Sequence, residues 1–229
     1  VGQPAAEFDE ATETAEALGL EHYVVDATAE FADVCFDAVQ ANATYQGYPL
    51  GTALARPVIA QKILDVAIEH GATAVAHGAT GKGNDQLRFE AVWRDSDLDV
   101  IAPIRELGLT REGGDLEDPA HVPTEDIYDW TQAPTGETET VELTFEAGVP
   151  VALNGEEMAP VELIETLNDL AGQYGVGRSD IMEDRMLGLK VRENYEHPAA
   201  TTLLAAHEAL EGLVLTKDER QFKTQIDQQ

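Results

Sequence analysis

Cysteine is nearly absent: Cys35 stands alone among 229 residues. That excludes an internal disulfide framework and a thiolate metal cluster, and fits a reducing compartment, with the cytoplasm as the default. Positive charge is scarce as well. Fourteen Lys and Arg, only five of them lysine, face 44 Asp and Glu, for a formal net charge of −30. Phosphate backbones and anionic lipid repel such a surface, so neither nucleic-acid nor membrane partners are expected. Broad acidity suits a surface that must stay soluble in concentrated salt, where repulsion is screened, and the chain reads as a halophile's protein. No run of 18 apolar residues offers a membrane span, and the opening VGQPAAEF lacks the charged start and apolar stretch of a signal peptide. What is present suffices for a core: 43% of residues are hydrophobic, with two Trp, six Tyr and six Phe. The length suits one large domain or two modest ones.

Phe31, Val34, Cys35, Ala38 and Val39 recur at helical spacing after the short apolar run HYVVDA, which predicts a strand followed by a helix. Ala60, Ile63, Leu64, Ala67 and Ile68 share one face of a second helix, with Pro57 suited to its first turn and Gly71 to its end. ATAVA reads as a buried strand leading through HGATGKGND into the helix QLRFEAVW and the strand DVIAPI. Strands alternating with helices imply a parallel, doubly wound sheet to about residue 105. Beyond TREGGDLEDPAHVPTED the grammar changes. Val141, Leu143 and Phe145 alternate with polar residues, and GVPVALNG supplies an Asn-Gly turn signal, which together predict an antiparallel hairpin. Helices are expected around Leu163, Leu167, Leu170 and Ala171, and from Ala199 to Leu215. Gly172, Gly175 and Gly177 read as a C-cap and turn. The polar tail TKDERQFKTQIDQQ is expected to be a solvated or partner-contacting helix.

Chemistry concentrates in one loop. Gly78, Gly81 and Gly83 lie between a strand and a helix, where backbone N–H groups and a helix N-terminus can converge on an anion. Lys82 adds a charge, and Thr80, Asn84 and Asp85 add donors and acceptors; the competing reading is a tight turn with Asn84 or Asp85 as N-cap. The spacing is not that of a Walker loop. Seven of the 14 cations fall in two short stretches: Lys82, Arg88 and Arg94, then Arg178, Arg185, Lys190 and Arg192. Against so acidic a background that suggests carboxylate or phosphate sites, with salt bridging to Glu183, Asp184, Glu193 and Glu196 as the alternative for the second stretch. The six histidines (His22, His70, His77, His121, His197 and His207) show no short metal-ligand spacing. They are expected at the surface or at caps, and no transition metal is proposed.

The segments YPLGTALARPVIA, AHGATGKGNDQLRFE, VIAPIRE, YGVGRSDIMEDRMLGLKVRENYEHPA and TLLAAHEALE, in this order, resemble the argininosuccinate synthase family. The resemblance implies an α/β fold: a doubly wound, ATP-pyrophosphatase-like nucleotide-binding domain over residues 1–112, then an α+β synthetase domain over 113–229. It implies an ATP-dependent ligase of arginine biosynthesis that joins citrulline to aspartate through a citrullyl-adenylate, releasing AMP and pyrophosphate. ATP would be lined by Ala76, His77, Gly78, Ala79, Thr80, Gly81, Lys82, Gly83 and Asn84. Citrulline would be held by Tyr48, Asn84, Arg88, Glu183 and Tyr195, and aspartate by Thr80, Asn84 and Asp85, with Asp85 near its amine. The family further implies Mg²⁺ carried on the triphosphate, with no dedicated protein ligand, and a homotetramer in the cytoplasm.

Departures from the pattern matter too. A Ser-Gly-Gly-x-Asp-[Ser/Thr] loop is not present, residues near Arg111 to Gly113 replace a longer stretch, and Ala53 stands where many members carry a citrulline-contacting serine. The chain is therefore expected to be part of a longer protein. Two other readings stay open: a catalytically silent nucleotide-binding protein of the same fold, and a related ATP pyrophosphatase acting on another substrate.

Overall fold

A computed structural model describes residues 5–79, 83–104, 120, 122–134, 136–184 and 190–227. In the first half, helix α1 (Ala5–Leu18) precedes α2 (Thr28–Gln40), a small hairpin of β1 (Thr44–Tyr45) and β2 (Tyr48–Pro49), and α3 (Thr52–Glu69). Then come β3 (Ala74–Ala76), α4 (Asp85–Trp93) and β4 (Asp99–Ile101). β3 and β4 pair in parallel, with Val75 opposite Val100, and α4 forms the crossover. This is the α/β grammar predicted from the sequence.

The predicted HYVVDA strand does not form. Residues 21–27 join no ladder, and Tyr23, Val24 and Val25 are 45%, 62% and 43% exposed. An apolar run becomes a strand only where a neighbour offers its N–H and C=O groups, and no described strand lies alongside. Pro57 also falls elsewhere than expected. α3 already begins at Thr52, so Pro57 sits inside the helix and brings no N–H for the Ala53 carbonyl one turn earlier. Gly71 ends α3 as predicted, at φ +65°.

Ala60, Leu64, Val75 and Trp93 form the core of this half. Trp93 is 1% exposed, and its indole N–H donates to the Ala60 carbonyl at 2.9 Å, tying α4 to α3. A buried Trp needs such a partner for its one donor.

In the second half β5 (Leu143–Glu146), β6 (Val149–Leu153) and β7 (Glu156–Glu157) make an antiparallel meander. The hairpin turn is Ala147-Gly148, and Asn154-Gly155 makes the next turn into β7. All four residues have positive φ, as in the turns that match strand twist. The Asn-Gly signal thus marks a third strand that the sequence reading did not include.

Helix α5 (Pro160–Gln173) follows, then β8 (Arg178–Asp184) paired antiparallel with β9 (Lys190–Glu196), α6 (Pro198–Val214) and α7 (Lys217–Asp227). Leu163 and Leu167, both fully buried, pack with Leu153, Leu203 and Ala199 against Phe36 and Val39 of α2. Each such leucine contributes roughly 1.5–3 kcal/mol. α2 thus stands between the two halves and adds its apolar face to the second core. The expected boundary near 112–113 lies outside the described residues.

Gly175 closes α5: its N–H donates to the Gly172 carbonyl and the N–H of Val176 to that of Ala171, the pattern of a left-handed helix end. At Gly177 a Cβ would come within 2.5 Å of Pro198, so only glycine lets β8 start beside α6. α7 is exposed, including Phe222 and Ile226. No helix among the described residues is long and apolar enough to cross a membrane.

Candidate functional site

The carboxyl end of a parallel strand, followed by a glycine loop and a helix N-terminus, is where open α/β sheets take ligands. β3 ends at Ala76 and α4 begins at Asp85, and a cavity of about 410 Å³ opens at this point. Three parts of the chain wall it: residues 48–53, the segment with Gly78, Ala79, Gly83, Asn84, Asp85 and Arg88, and the β8–β9 hairpin with Glu183, Glu193 and Tyr195. Tyr48, Asn84, Asp85, Arg88, Glu183 and Tyr195, all named from the sequence, are therefore brought together across as many as 147 positions.

Glu183 is 7% exposed and faces two phenols, the Tyr48 hydroxyl donating to Oε1 and the Tyr195 hydroxyl to Oε2, each at 3.4 Å. Those are long contacts for O–H groups on a carboxylate. The two tyrosine rings stack with centroids 4.8 Å apart. Burial, then the Glu183 charge, pushes the Tyr48 phenol up from its ordinary range. Burial, with Glu193, Tyr48 and Glu183 behind it, does the same to Tyr195. Both phenols stay protonated and act as donors.

Asn84 occupies the N-cap position of α4, but its side chain makes no capping bond. Its Oδ1 is buried with no hydrogen-bond partner among the described residues. A buried acceptor left open at a cavity wall is a place for a donor on a ligand. Arg88 donates through Nη1 to Asp85 Oδ1 at 3.0 Å, which leaves other N–H groups of its fork for an incoming carboxylate.

Other expected residues fall differently. Ala76 and His77 do not line the cavity. The His77 ring, 8% exposed, turns onto Phe89 and Trp93; Nδ1 accepts from the Ala79 N–H at 3.2 Å, and Nε2 meets Glu90 at 3.3 Å. With Nδ1 accepting, the ring proton is on Nε2, so His77 shapes the glycine segment by holding Ala79. Thr80, Gly81 and Lys82 lie outside the described residues. His207 is buried as well, its Nδ1 against Asn42 Oδ1 at 3.1 Å. His197 bridges Ser179 and Thr201 at 2.8 Å each, and burial holds its pKa below the ordinary value. The expectation of surface or capping histidines fails at His77 and His207, whose buried rings found partners for their nitrogens, and holds at His197, the N-cap residue of α6.

The second cation stretch also resolves differently. Arg178 pairs with Glu125 at 2.9 Å, donates to Thr131 and lies 3.8 Å over the Tyr128 ring. Arg192 forks onto Asp180 at 2.7 and 2.6 Å. Both serve the architecture, through partners that sequence spacing did not suggest. Arg185 lies outside the described residues. Sequence reasoning also passed over Arg56, whose Nε donates to Asp85 Oδ2 at 2.9 Å from 29 positions upstream. A lone arginine on a helix gives no signal of such a contact.

Two family models match the chain: that of the arginosuccinate synthase N-terminal HUP domain over residues 1–116, and that of the arginosuccinate synthase C-terminal domain over residues 105–229. Proteins named argininosuccinate synthase from Natronomonas pharaonis and Halobacterium salinarum are 67% and 66% identical, covering 99% and 100% of this chain. One from Methanosarcina acetivorans is 49% identical over all of it. The chain spans 65%, 66% and 68% of the length of these three relatives.

Proposed function

The chain belongs to the argininosuccinate synthase family, and we propose that its cavity is the substrate site for the ATP-driven joining of citrulline to aspartate. The observation that carries this reading is the set of incomplete polar contacts around one cavity. Among the described residues Asn84 Oδ1 has no donor, and Glu183 has two long ones. Citrulline has N–H groups at both ends and would complete both acceptors, while its carboxylate would meet the Arg88 fork. Thr80, Asn84 and Asp85 would hold aspartate, with Asp85 beside the amine.

ATP would lie along the segment from Gly78 to Asn84, where the start of α4 favours phosphate. Mg²⁺ would arrive on the triphosphate, as is usual for that ion. The described residues hold no group of three His, Cys, Asp or Glu side chains that could bind a metal. In the first step the ureido oxygen of citrulline attacks the α-phosphorus, and the bond to the β-phosphate breaks to release pyrophosphate. In the second, the unprotonated aspartate amine attacks the activated carbon, the C–O bond to AMP breaks, and the surplus proton leaves the new nitrogen. Asp85 would orient that amine and receive a proton from it. We further propose a cytoplasmic homotetramer in a salt-adapted organism.

The test is pyrophosphate release by the full-length protein in molar KCl with MgATP, adding citrulline and aspartate separately and together. Release that requires citrulline, with argininosuccinate formed only when aspartate is also present, is the expected result. Release without citrulline would point to another adenylated substrate. ATP binding with no release would leave a silent nucleotide-binding protein.

A further inference from the structure

Asp85 opens α4 with its two oxygens held by two different arginines. Oδ1 accepts from Nη1 of Arg88 at 3.0 Å, and Oδ2 accepts from Nε of Arg56 at 2.9 Å. Arg88 lies one turn along the same helix, whereas Arg56 comes from α3. Asp85 and Arg88 line the cavity and Arg56 does not. One carboxylate oxygen therefore bonds a residue that lines the cavity, and the other bonds one that does not.

We infer that Arg56 is a positioning residue for Asp85, a resident cation that keeps the carboxylate in place when Arg88 turns its N–H groups to a substrate carboxylate. The inference rests on the synthase reading above. Arg88 faces two claims on one guanidinium, from Asp85 and from an incoming carboxylate, and a bidentate grip on the second weakens the first. Without Arg56, Asp85 would follow Arg88 and lose its orientation toward the aspartate amine. With Arg56 bonded to Oδ2, the carboxylate keeps its orientation whichever way Arg88 is engaged.

The scaffold suits this task. α3 and α4 are tied at one level by the Trp93 indole and the Ala60 carbonyl, and by the core of Leu64, Val75 and Trp93. Ala60 is one turn beyond Arg56, and Trp93 is two turns beyond Asp85. The Arg56–Asp85 bond closes the same helix pair at its cavity end. Approach through Nε also leaves the terminal nitrogens of Arg56 out of the contact, so the bond is a single directed one that fixes an angle rather than a broad charge pairing.

Under the proposed chemistry Arg56 serves the second step, in which Asp85 meets the aspartate amine, and not the first. The two steps are separable in the full-length protein. Citrulline-dependent exchange of labelled pyrophosphate into ATP reports adenylation alone, and argininosuccinate formation at varied aspartate reports the second step. R56Q is expected to raise the aspartate KM by about tenfold or more while leaving the exchange rate within about threefold of wild type. R56K, which restores the charge without the planar fork, should fall between, with a rise of about threefold. If R56Q does not fold, R56K against wild type makes the same comparison. An unchanged aspartate KM would overturn the role. So would equal loss of both steps with no recovery in R56K, the mark of a purely structural tie. A wild type without citrulline-dependent exchange would overturn the synthase reading and this role with it, whereas an active wild type confines any failure to Arg56.

Discussion

Two glutamates on the β8–β9 hairpin are treated in opposite ways. Glu196, at the end of β9, accepts from the Thr131 hydroxyl at 2.6 Å and from the amides of Asp129, Trp130 and Thr131 at 2.8–3.1 Å. Glu183, which lines the same cavity as Glu196, has two phenols at 3.4 Å. Burial by itself would raise the Glu196 pKa; the bonds from Thr131 and the three amides outweigh it and hold the carboxyl below its usual value. A carboxylate with its acceptor capacity filled by its own chain fastens a loop. One buried with capacity left over keeps room for a ligand, and Asn84 Oδ1 on the opposite wall is in the same condition.

The largest separation between the two should come from E183Q. Losing the charge replaces an acceptor-only group by one with an NH₂ that citrulline's donors cannot use, so citrulline-dependent turnover should fall about 100-fold or more. The melting temperature should move by no more than about 1–2 °C, because only two long contacts change. A clear loss of stability instead would make Glu183 structural and erase the contrast. E196Q should do the reverse. Its NH₂ would face some of the loop donors, costing about 2 kcal/mol and lowering the melting temperature by about 4–8 °C, with the citrulline KM little changed. The pH dependence follows from the lowered pKa of Glu196. Its stabilisation is complete above the unfolded carboxyl value of 4.5 and is lost as pH falls through the lower folded value. The wild-type advantage over E196Q should therefore be full near neutrality and shrink below about pH 4.5, as melting curves in a pH series would report.

Much of this was legible in the chain. Helical periodicity located α2, α3, α5 and α6, because a buried stripe such as Leu163, Leu167 and Ala171 repeats every three to four residues. The glycine segment after ATAVA marked the cavity, since strand-to-loop-to-helix order is itself a sequence pattern. HYVVDA misled because strand formation depends on a partner that no local pattern contains. The partners of Asp85, Arg178 and Glu196 were invisible for a related reason: contacts spanning 29, 53 and 65 positions leave no spacing to read. Tyr48, Glu183 and Tyr195 could be grouped beforehand only through family resemblance, because the contacts that join them span 135 and 12 positions across separate elements.

The smallest expected effect sharpens the comparison most. Raising KCl from 0.1 to 1 M shortens the screening length from about 10 to about 3 Å, which relieves repulsion among exposed carboxylates but not bonds made in direct contact. With a net charge of −30, wild type and E196Q should both melt at higher temperature in molar KCl. A flat or falling wild-type melting temperature would sink the salt-adapted reading. The difference between the two proteins should stay within about 1 °C across that range, because the Glu196 brace consists of hydrogen bonds at contact distance to one hydroxyl and three amides, not of attraction to a distant cation. A difference that collapses with salt would mean that Glu196 acts as one charge among many. The contrast with Glu183 would then lie in where the two charges sit, rather than in how fully the chain satisfies them.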